Sequence, residues 1–302
     1  MSEEPFEKTF PVSAPARLKL DNIRGSVEIL PGADDAISVT AVKRPGSGDL
    51  ARTEIEMLQE QDGTVRVSTR FPDGGWTWLF GSHPCCVDYI VRTPRQCSLD
   101  LNGVSNSLEV GDINGEFHVT SVSGEVALRD LEGDLRLHTV SGRAHGERLI
   151  GRLDLDSVSG DLDFSACSLP AVAAKTVSGN LSLQTSLGDG PYAFNTVSGA
   201  VRLALPGEAR CTVELNSLSG QIVTAFPVSS YAQAGGIHTV ALQGGGVPLT
   251  MHSVSGSLSL DREGGDPVTA GVGLSAEERR ALLERLERGE VTVEEALAQL
   301  RG

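Results

Sequence analysis

The sequence predicts an all-β fold: a parallel β-solenoid (β-helix) of about 18 residues per coil, with a strand-rich N-terminal cap and a small C-terminal α-helical hairpin. Three observations lead to this prediction. A tetrapeptide recurs at a nearly regular interval, apolar residues alternate with polar ones around it, and the composition changes towards the C-terminus. A repeat of fixed length with a glycine at a fixed position is typical of stacked-repeat architectures.

The recurring tetrapeptide is Ser/Thr-Val/Leu-Ser-Gly, which occurs seven times. Its successive glycines are separated by 18, 18, 19, 20, 21 and 36 residues, and we interpret the last interval as two periods with one copy degraded. The seven glycines are Gly124, Gly142, Gly160, Gly179, Gly199, Gly220 and Gly256. From Asn106 to Gly160 a glycine or asparagine also recurs every nine residues. Each 18-residue repeat should therefore contain two strands of about five residues and two turns of about four.

Apolar and polar residues alternate on both sides of each tetrapeptide, as in strands with one buried face. Three positions of the repeat hold an apolar residue in all seven copies: the positions seven and five residues before the final glycine, and the position two residues after it. In the first copy these residues are Phe117, Val119 and Val126. We expect equivalent residues to stack from coil to coil, about 4.8 Å apart. The glycine should allow a corner with positive φ or close backbone approach. The serine should hydrogen-bond the backbone locally, and the valine or leucine should fill the inside of the corner.

Residues 1–100 are predicted to form the strand-rich cap, and residues 101–260 the repeat domain. Within the cap, Asp62-Gly63 predicts a hairpin turn. The segment Leu18–Leu30 already resembles a coil, with its corner at Gly25. A cap is expected because the open end of a solenoid is an unpaired strand edge that invites aggregation.

The C-terminal end has a different composition. Residues 261–274 are predicted to be a flexible Gly-rich linker, and residues 275–302 a helical hairpin in which each helix starts with a capping box. The apolar residues of its helices are Leu282, Leu283, Leu286, Leu297 and Leu300. Helices this short are marginal in isolation. The hairpin should therefore dock on the open end of the solenoid, on a second copy or on another protein.

The overall composition limits the partners and the location of the protein. A net charge of −15 without a Lys/Arg cluster excludes nucleic acid and anionic membrane surfaces. No apolar stretch approaches the 18 residues of a transmembrane helix. The N-terminus lacks the basic and apolar regions of a signal peptide, so we expect a cytoplasmic protein. Five cysteines, an odd number, also favour a reducing compartment.

The repeated Val-Ser-Gly corners, the segments 71–76 and 88–94 and the C-terminal pattern together resemble the putative-adhesin β-strand-repeat family, also called the toastrack domain, a domain of unknown function. The resemblance covers about residues 10–260, and the C-terminal end resembles a short helical module of the SHOCT-like kind. It implies a β-solenoid and a frequent association with envelope-stress systems of the phage-shock type, where such proteins are thought to act as scaffolds near the membrane. It implies no catalytic residues.

Two groups of residues bring together side chains of the kinds that metal binding and catalysis use. One is a His/Cys group, in which adjacent cysteines cannot easily reach one tetrahedral ion and no Cys-x-x-Cys spacing occurs, so we predict no metal site and no cofactor. Its members are His83, Cys85, Cys86 and Cys97. The other is an acidic group around Gly160, made of Asp154, Asp156, Asp161 and Asp163. Clustered carboxylates on a β-helix occur in polysaccharide lyases, but these should split between two faces, so a polysaccharide-active enzyme is only a remote alternative.

The one aromatic concentration, Trp76, Trp78 and Phe80, either folds onto the cap or forms an exposed patch for a partner or a lipid surface. Together with the C-terminal leucines these are the candidate interaction residues. We expect a non-enzymatic scaffold or protein-interaction protein. Its partner would be a membrane protein of an envelope-stress system, or a second copy of the chain. The alternative is a surface, adhesin-like protein that self-associates or binds glycans.

Overall fold

A computed structural model of the chain describes residues 5–72, 83–234 and 236–265. These residues form strands and turns and contain no helix. By their internal contacts they belong to two compact units, Met1–Ser168 and Leu169–Gly302.

The first unit contains the strands that precede the middle of the chain. They are β1 (Phe6–Pro11), β2 (Ala16–Pro31), β3 (Ala36–Lys43), β4 (Glu54–Gln59), β5 (Val65–Arg70), β6 (Val87–Thr93), β7 (Cys97–Asn114), β8 (Phe117–Glu132), β9 (Leu135–Thr139), β10 (Arg143–Glu147), β11 (Leu153–Ser159) and β12 (Asp161–Leu169). Strands β2, β7 and β8 each make a whole coil, whereas β9 with β10 and β11 with β12 make a coil in two segments. Neighbouring coils pair in parallel.

Pairing in register stacks the apolar columns of the sequence. Leu101 lies opposite Val119, and Val119 lies opposite Leu137 in the next coil. All three side chains are buried, as are the equivalent residues of every other copy of the repeat. The stack of buried Val, Leu and Phe side chains is the core of the first unit, and the predicted columns are confirmed.

The coils differ from the predicted five-residue strands in one respect. Strands β2, β7 and β8 are 16 to 18 residues long and continue through the corner. They do so because the corner residues keep their register with the neighbouring coil: Ser105 lies opposite Ser123, and Asn106 opposite Gly124. The ladder of one coil on the next is therefore not interrupted at the turn.

The outer side of the first coil is covered by a mixed set of strands. Strands β5 and β6 pair in parallel with the two halves of β2. Strand β4 is antiparallel to β5 across the Asp62-Gly63 turn, as that dipeptide predicts. Strand β3 is antiparallel to β6, and β1 to β3. The edge of β2 is thus paired along both of its halves.

The second unit contains the remaining strands. They are β13 (Val172–Ser178), β14 (Leu181–Leu187), β15 (Tyr192–Ser198), β16 (Val201–Leu205), β17 (Cys211–Ser217), β18 (Ile222–Thr224), β19 (Val228–Ala234), β20 (Ile237–Leu242), β21 (Val247–Ser253) and β22 (Leu258–Arg262). Their parallel stacking order is β13, β15, β21 and β17 before the corners, and β14, β16, β22 and β18 after them.

The order of the last coils does not follow the order of the sequence. The coil of Gly256 lies between those of Gly199 and Gly220, because β21 pairs with β15 on one side and with β17 on the other. Our interpretation of the 36-residue interval as two periods with a degraded copy is therefore wrong. The interval contains the antiparallel hairpin β19–β20, which returns the chain so that β21 enters the stack beside β15.

The predicted fold class is also wrong in its C-terminal element, since the described residues form an all-β fold of mostly parallel strands with no helical hairpin. Residues 275–302, on which that element was predicted, lie outside the described residues. Capping boxes and a leucine stripe are local signals. Helices of this length depend on packing for their stability, and no local pattern establishes that packing.

Candidate interaction surface

The valine or leucine of the tetrapeptide faces solvent, so the prediction that it fills the inside of the corner is wrong. Val122 is 42% exposed and Val158 is 49% exposed. The residue before each valine points inward instead, and Ser121 and Thr139 are buried. Side chains alternate between the two faces of a strand, and because the strand continues into the corner the next residue must point outward.

The outward residues form what we call the valine ladder, one segment in each unit. In the first unit it consists of Val104, Val122, Val140 and Val158, and in the second of Val177, Val197, Val254 and Leu218 in stacking order. A valine between two neighbours is about half exposed, whereas Leu218, on the last parallel coil, is 87% exposed. The exposed parts of these side chains form a row of apolar surface in each unit.

In several corners the serine that follows the valine or leucine bonds to the neighbouring corner. The hydroxyl of Ser123 donates a hydrogen bond to the carbonyl oxygen of Val104 at 3.0 Å, and Ser141 donates to that of Val122 at 3.2 Å. The same bond recurs in the second unit, from Ser255 to Val197. The bond therefore joins one coil to the next and does not lie within the local turn, contrary to the prediction from the sequence. The ladder is therefore fixed to a hydrogen-bonded corner.

Gly142 shows both of the features that were predicted for a corner glycine. Gly142 has a φ of 131°. A Cβ atom at this position would lie 2.2 Å from the carbonyl oxygen of Gly124 in the coil before it. With no side chain between them, the backbones of adjacent corners stack directly, and the valines beside them are one coil apart.

In the first unit, the strand segments that precede the corners present polar side chains to solvent, and together these form a polar face. Its columns carry both signs of charge, and Lys19 donates a hydrogen bond to Asp100 at 2.8 Å that raises the pKa of Lys19. His138 lies 3.2 Å from a carboxylate oxygen of Asp156, and its ring contacts that of His118 edge-on. A shallow groove of about 370 Å³ lies over this face. The pairs Lys19–Asp100 and His138–Asp156 each join residues of adjacent coils.

The His/Cys group and the acidic group do not converge on one site. The acidic group divides as predicted, with two members on β11 and two on β12. In the His/Cys group, the His83 ring lies 3.1 Å from the Arg24 guanidinium, and Cys85 and Cys97 are buried. Burial raises the pKa of Cys97 to about 12, so its thiol stays protonated. Over the described ranges, no group of three or more His, Cys, Asp and Glu residues could hold a metal ion.

The predicted interaction residues are not placed by the structure. They are Trp76, Trp78, Phe80, Leu282, Leu283, Leu286, Leu297 and Leu300, and all lie outside the described residues. The surface that sequence reasoning missed is the valine ladder. The signal for it was present, because the alternation of inward and outward residues continues through the tetrapeptide.

The sequence profile of the Toastrack DUF4097 family matches residues 16–261. The chain belongs to the Toastrack family. The matched range runs from the start of β2 to the next-to-last residue of β22, so it includes the coils of both units of this Toastrack protein. No curated protein matches the sequence at a significant level.

Several solved structures are similar to this Toastrack chain. A "putative adhesin" from Bacteroides fragilis is 10% identical, with a TM-score of 0.45, and the alignment covers 86% of this chain and 98% of that one. A "putative adhesin" from Parabacteroides distasonis is 12% identical, with a TM-score of 0.44 and coverages of 86% and 97%. A "putative lipid binding protein" from the same species is 10% identical, with a TM-score of 0.39 and coverages of 86% and 96%. At these scores we draw no functional conclusion from them.

In the part of the Toastrack chain that the structure describes, no helix has the length and apolar character needed to cross a membrane.

Proposed function

We propose that this Toastrack protein is a non-enzymatic scaffold that binds a partner protein along the valine ladder. The observation that carries the proposal is the row of half-exposed valines in the first unit. Contiguous exposed apolar surface with a polar surround is typical of protein-binding sites. The serine and glycine residues beside the ladder fix its spacing, so the partner would meet a preorganised surface that loses little entropy on binding.

The partner that we propose has its own row of apolar side chains, presented by an extended strand or by one face of a helix. The frequent association that the toastrack resemblance implies, with envelope-stress systems of the phage-shock type, supports a membrane protein of such a system as the source of that surface. We further propose that the scaffold acts in the cytoplasm. The five cysteines, all of which are free thiols, support a reducing compartment, and fractionation of native cells tests the location.

The proposal is tested with a variant that keeps the shape of the ladder but makes it polar. Val122→Thr combined with Val140→Thr retains the β-branched side chains that suit an extended backbone. The matched control is Ile150→Thr, which changes another exposed apolar residue of the first unit, 53% exposed and outside the ladder. Circular dichroism melts establish that all variants fold.

Each protein is used as bait in detergent-solubilised lysate of native cells, and captured proteins are quantified by mass spectrometry. We expect a membrane protein that wild type and Ile150→Thr capture equally and that the double variant captures at least tenfold less. Equal capture by all three baits, or no capture by any of them, would overturn the proposal. A soluble partner with the same dependence on the ladder would retain the scaffold and remove the membrane assignment.

A further inference from the structure

The second unit ends in an edge strand with exposed side chains. Among the described residues, β19 pairs with β20 alone, and β20 in turn pairs with β17. Six of the seven side chains of β19 are exposed. The outer edge of such a strand presents backbone N–H and C=O groups to any strand that approaches it.

The usual protection of an edge strand is absent from β19. Residues 215–260 contain no Asp, Glu, Lys or Arg, in a chain of which 22% is charged. Natural edge strands are commonly protected by charged side chains, lysine above all, or by prolines and bulges. Here Pro227 and a register shift between Val228 and Ser230 affect only the start of the strand. From Ser230 to Ala234 the pairing with β20 is regular.

We propose that β19 is a dimer interface, at which the β19 strands of two copies of the chain pair antiparallel. Charge favours a second copy at this place. Two chains of net charge −15 repel one another, and the repulsion is weakest where both present a segment without charge. A symmetric pair also buries the β19 edge of both chains, so no β19 edge is left to which a third copy could add.

The sequence of β19 is self-complementary in the antiparallel direction. If the two-fold axis passes through Ala232, Ser230 lies opposite Ala234 and Tyr231 lies opposite Gln233. No pair brings like charges or two bulky side chains together. Within one chain the Tyr231 hydroxyl already lies 3.2 Å from Oε1 of Gln233, so the same two groups are suited to meet across the axis. This interface is separate from the valine ladder and does not depend on the function proposed for it.

The association is tested first by sedimentation velocity of the full-length chain at about 100 μM. We expect a dimer of twice the chain mass of 31.7 kDa. Ala232→Lys places two ammonium groups opposite each other at the axis and should weaken dimerisation at least tenfold. The matched control is Ala173→Lys, which adds the same charge at an exposed alanine of β13 and should leave the dimer unchanged. A monomer of 31.7 kDa at this concentration, or a dimer that Ala232→Lys does not weaken, would overturn the proposal.

The register is tested by crosslinking. Under mild oxidation Ala232→Cys should form a disulfide-linked dimer on a non-reducing gel, because two residues at the axis are within the Cα separation of a disulfide. Wild type and Ala173→Cys provide the background from the native thiols, four of which are buried. A dimer that Ala232→Cys fails to link would place the contact elsewhere on the chain, and this outcome too would overturn the proposal.

Discussion

At the scale of single residues, the corner glycines are required by the space that a Cβ atom would occupy. Gly142 combines a positive φ with a carbonyl oxygen of the preceding coil at 2.2 Å from the Cβ position. Gly63, in the hairpin turn, also has a positive φ, but no atom lies within 4 Å of its Cβ position. The two positions therefore separate the effect of backbone strain from that of steric exclusion.

We expect Gly142→Ala to lower the free energy of unfolding by at least about 3 kcal/mol, because the stacked backbones must move apart and the residue is strained. Gly63→Ala should cost about 1 kcal/mol, since only the strain applies. Urea unfolding followed by circular dichroism measures both changes. Equal losses at the two positions would mean that the corner is not closely stacked.

At the scale of elements, the pairing of β6 with β2 is reinforced by the partly buried carboxylate of Asp88. Asp88 accepts hydrogen bonds from the amide and the hydroxyl of Ser26, at 2.8 and 2.6 Å, and from the guanidinium of Arg44. Burial alone would raise the pKa of Asp88, but these hydrogen bonds outweigh it and the pKa is lowered. The carboxylate therefore stabilises the fold in its charged form, above the unfolded-state pKa of about 3.9.

Asp88→Asn should lower the free energy of unfolding by about 2 kcal/mol at pH 7, since charge-assisted hydrogen bonds are lost. The difference between wild type and variant should shrink as the pH falls below about 4, because the carboxyl of the unfolded wild-type chain then becomes protonated while the folded chain still holds Asp88 charged. The difference should be lost once the pH falls through the lowered pKa of the folded state. Urea unfolding at pH 7 and at pH 3 measures both values, and the other carboxyl groups cancel in the comparison. A difference that stays constant with pH would contradict the role of the charge.

The elements also show which parts of the fold the sequence determines. The buried columns, the parallel register and the Asp62-Gly63 hairpin follow from local alternation and turn chemistry, and all are present. The insertion of β21 between β15 and β17 could not be predicted. All three strands precede the same tetrapeptide, and no local feature of the sequence shows which of them pair with each other. The valine ladder could have been predicted, had the alternation been followed through the corner.

At the scale of the whole molecule, the five cysteines are distributed over both units and all are free thiols. Four are buried, and burial raises the pKa of Cys97 to about 12 and that of Cys211 to about 11. A raised thiol pKa keeps the group protonated at pH 8, and the protonated thiol is unreactive towards alkylating reagents. Cys86 is only partly buried.

We expect iodoacetamide at pH 8 to modify Cys86 in the native protein at least about a hundredfold faster than Cys97 or Cys211, because both burial and low thiolate content protect the latter. In urea the five thiols should react at similar rates. Peptide mass spectrometry over time measures each rate. Rapid labelling of Cys97 in the native protein would mean that the cap strands open on the timescale of the reaction.

The inserted position of β21 sets an order of events during synthesis. Strand β17 leaves the ribosome 36 residues before β21, an interval of about 2 to 7 seconds at typical translation rates. Throughout that interval the edge of β15 is open, and the strand available to it carries the same Ser/Thr-Val/Leu-Ser-Gly corner as its native neighbour. The nascent chain must therefore either leave β15 unpaired until β21 arrives or exchange β17 for β21 before it reaches its final strand order.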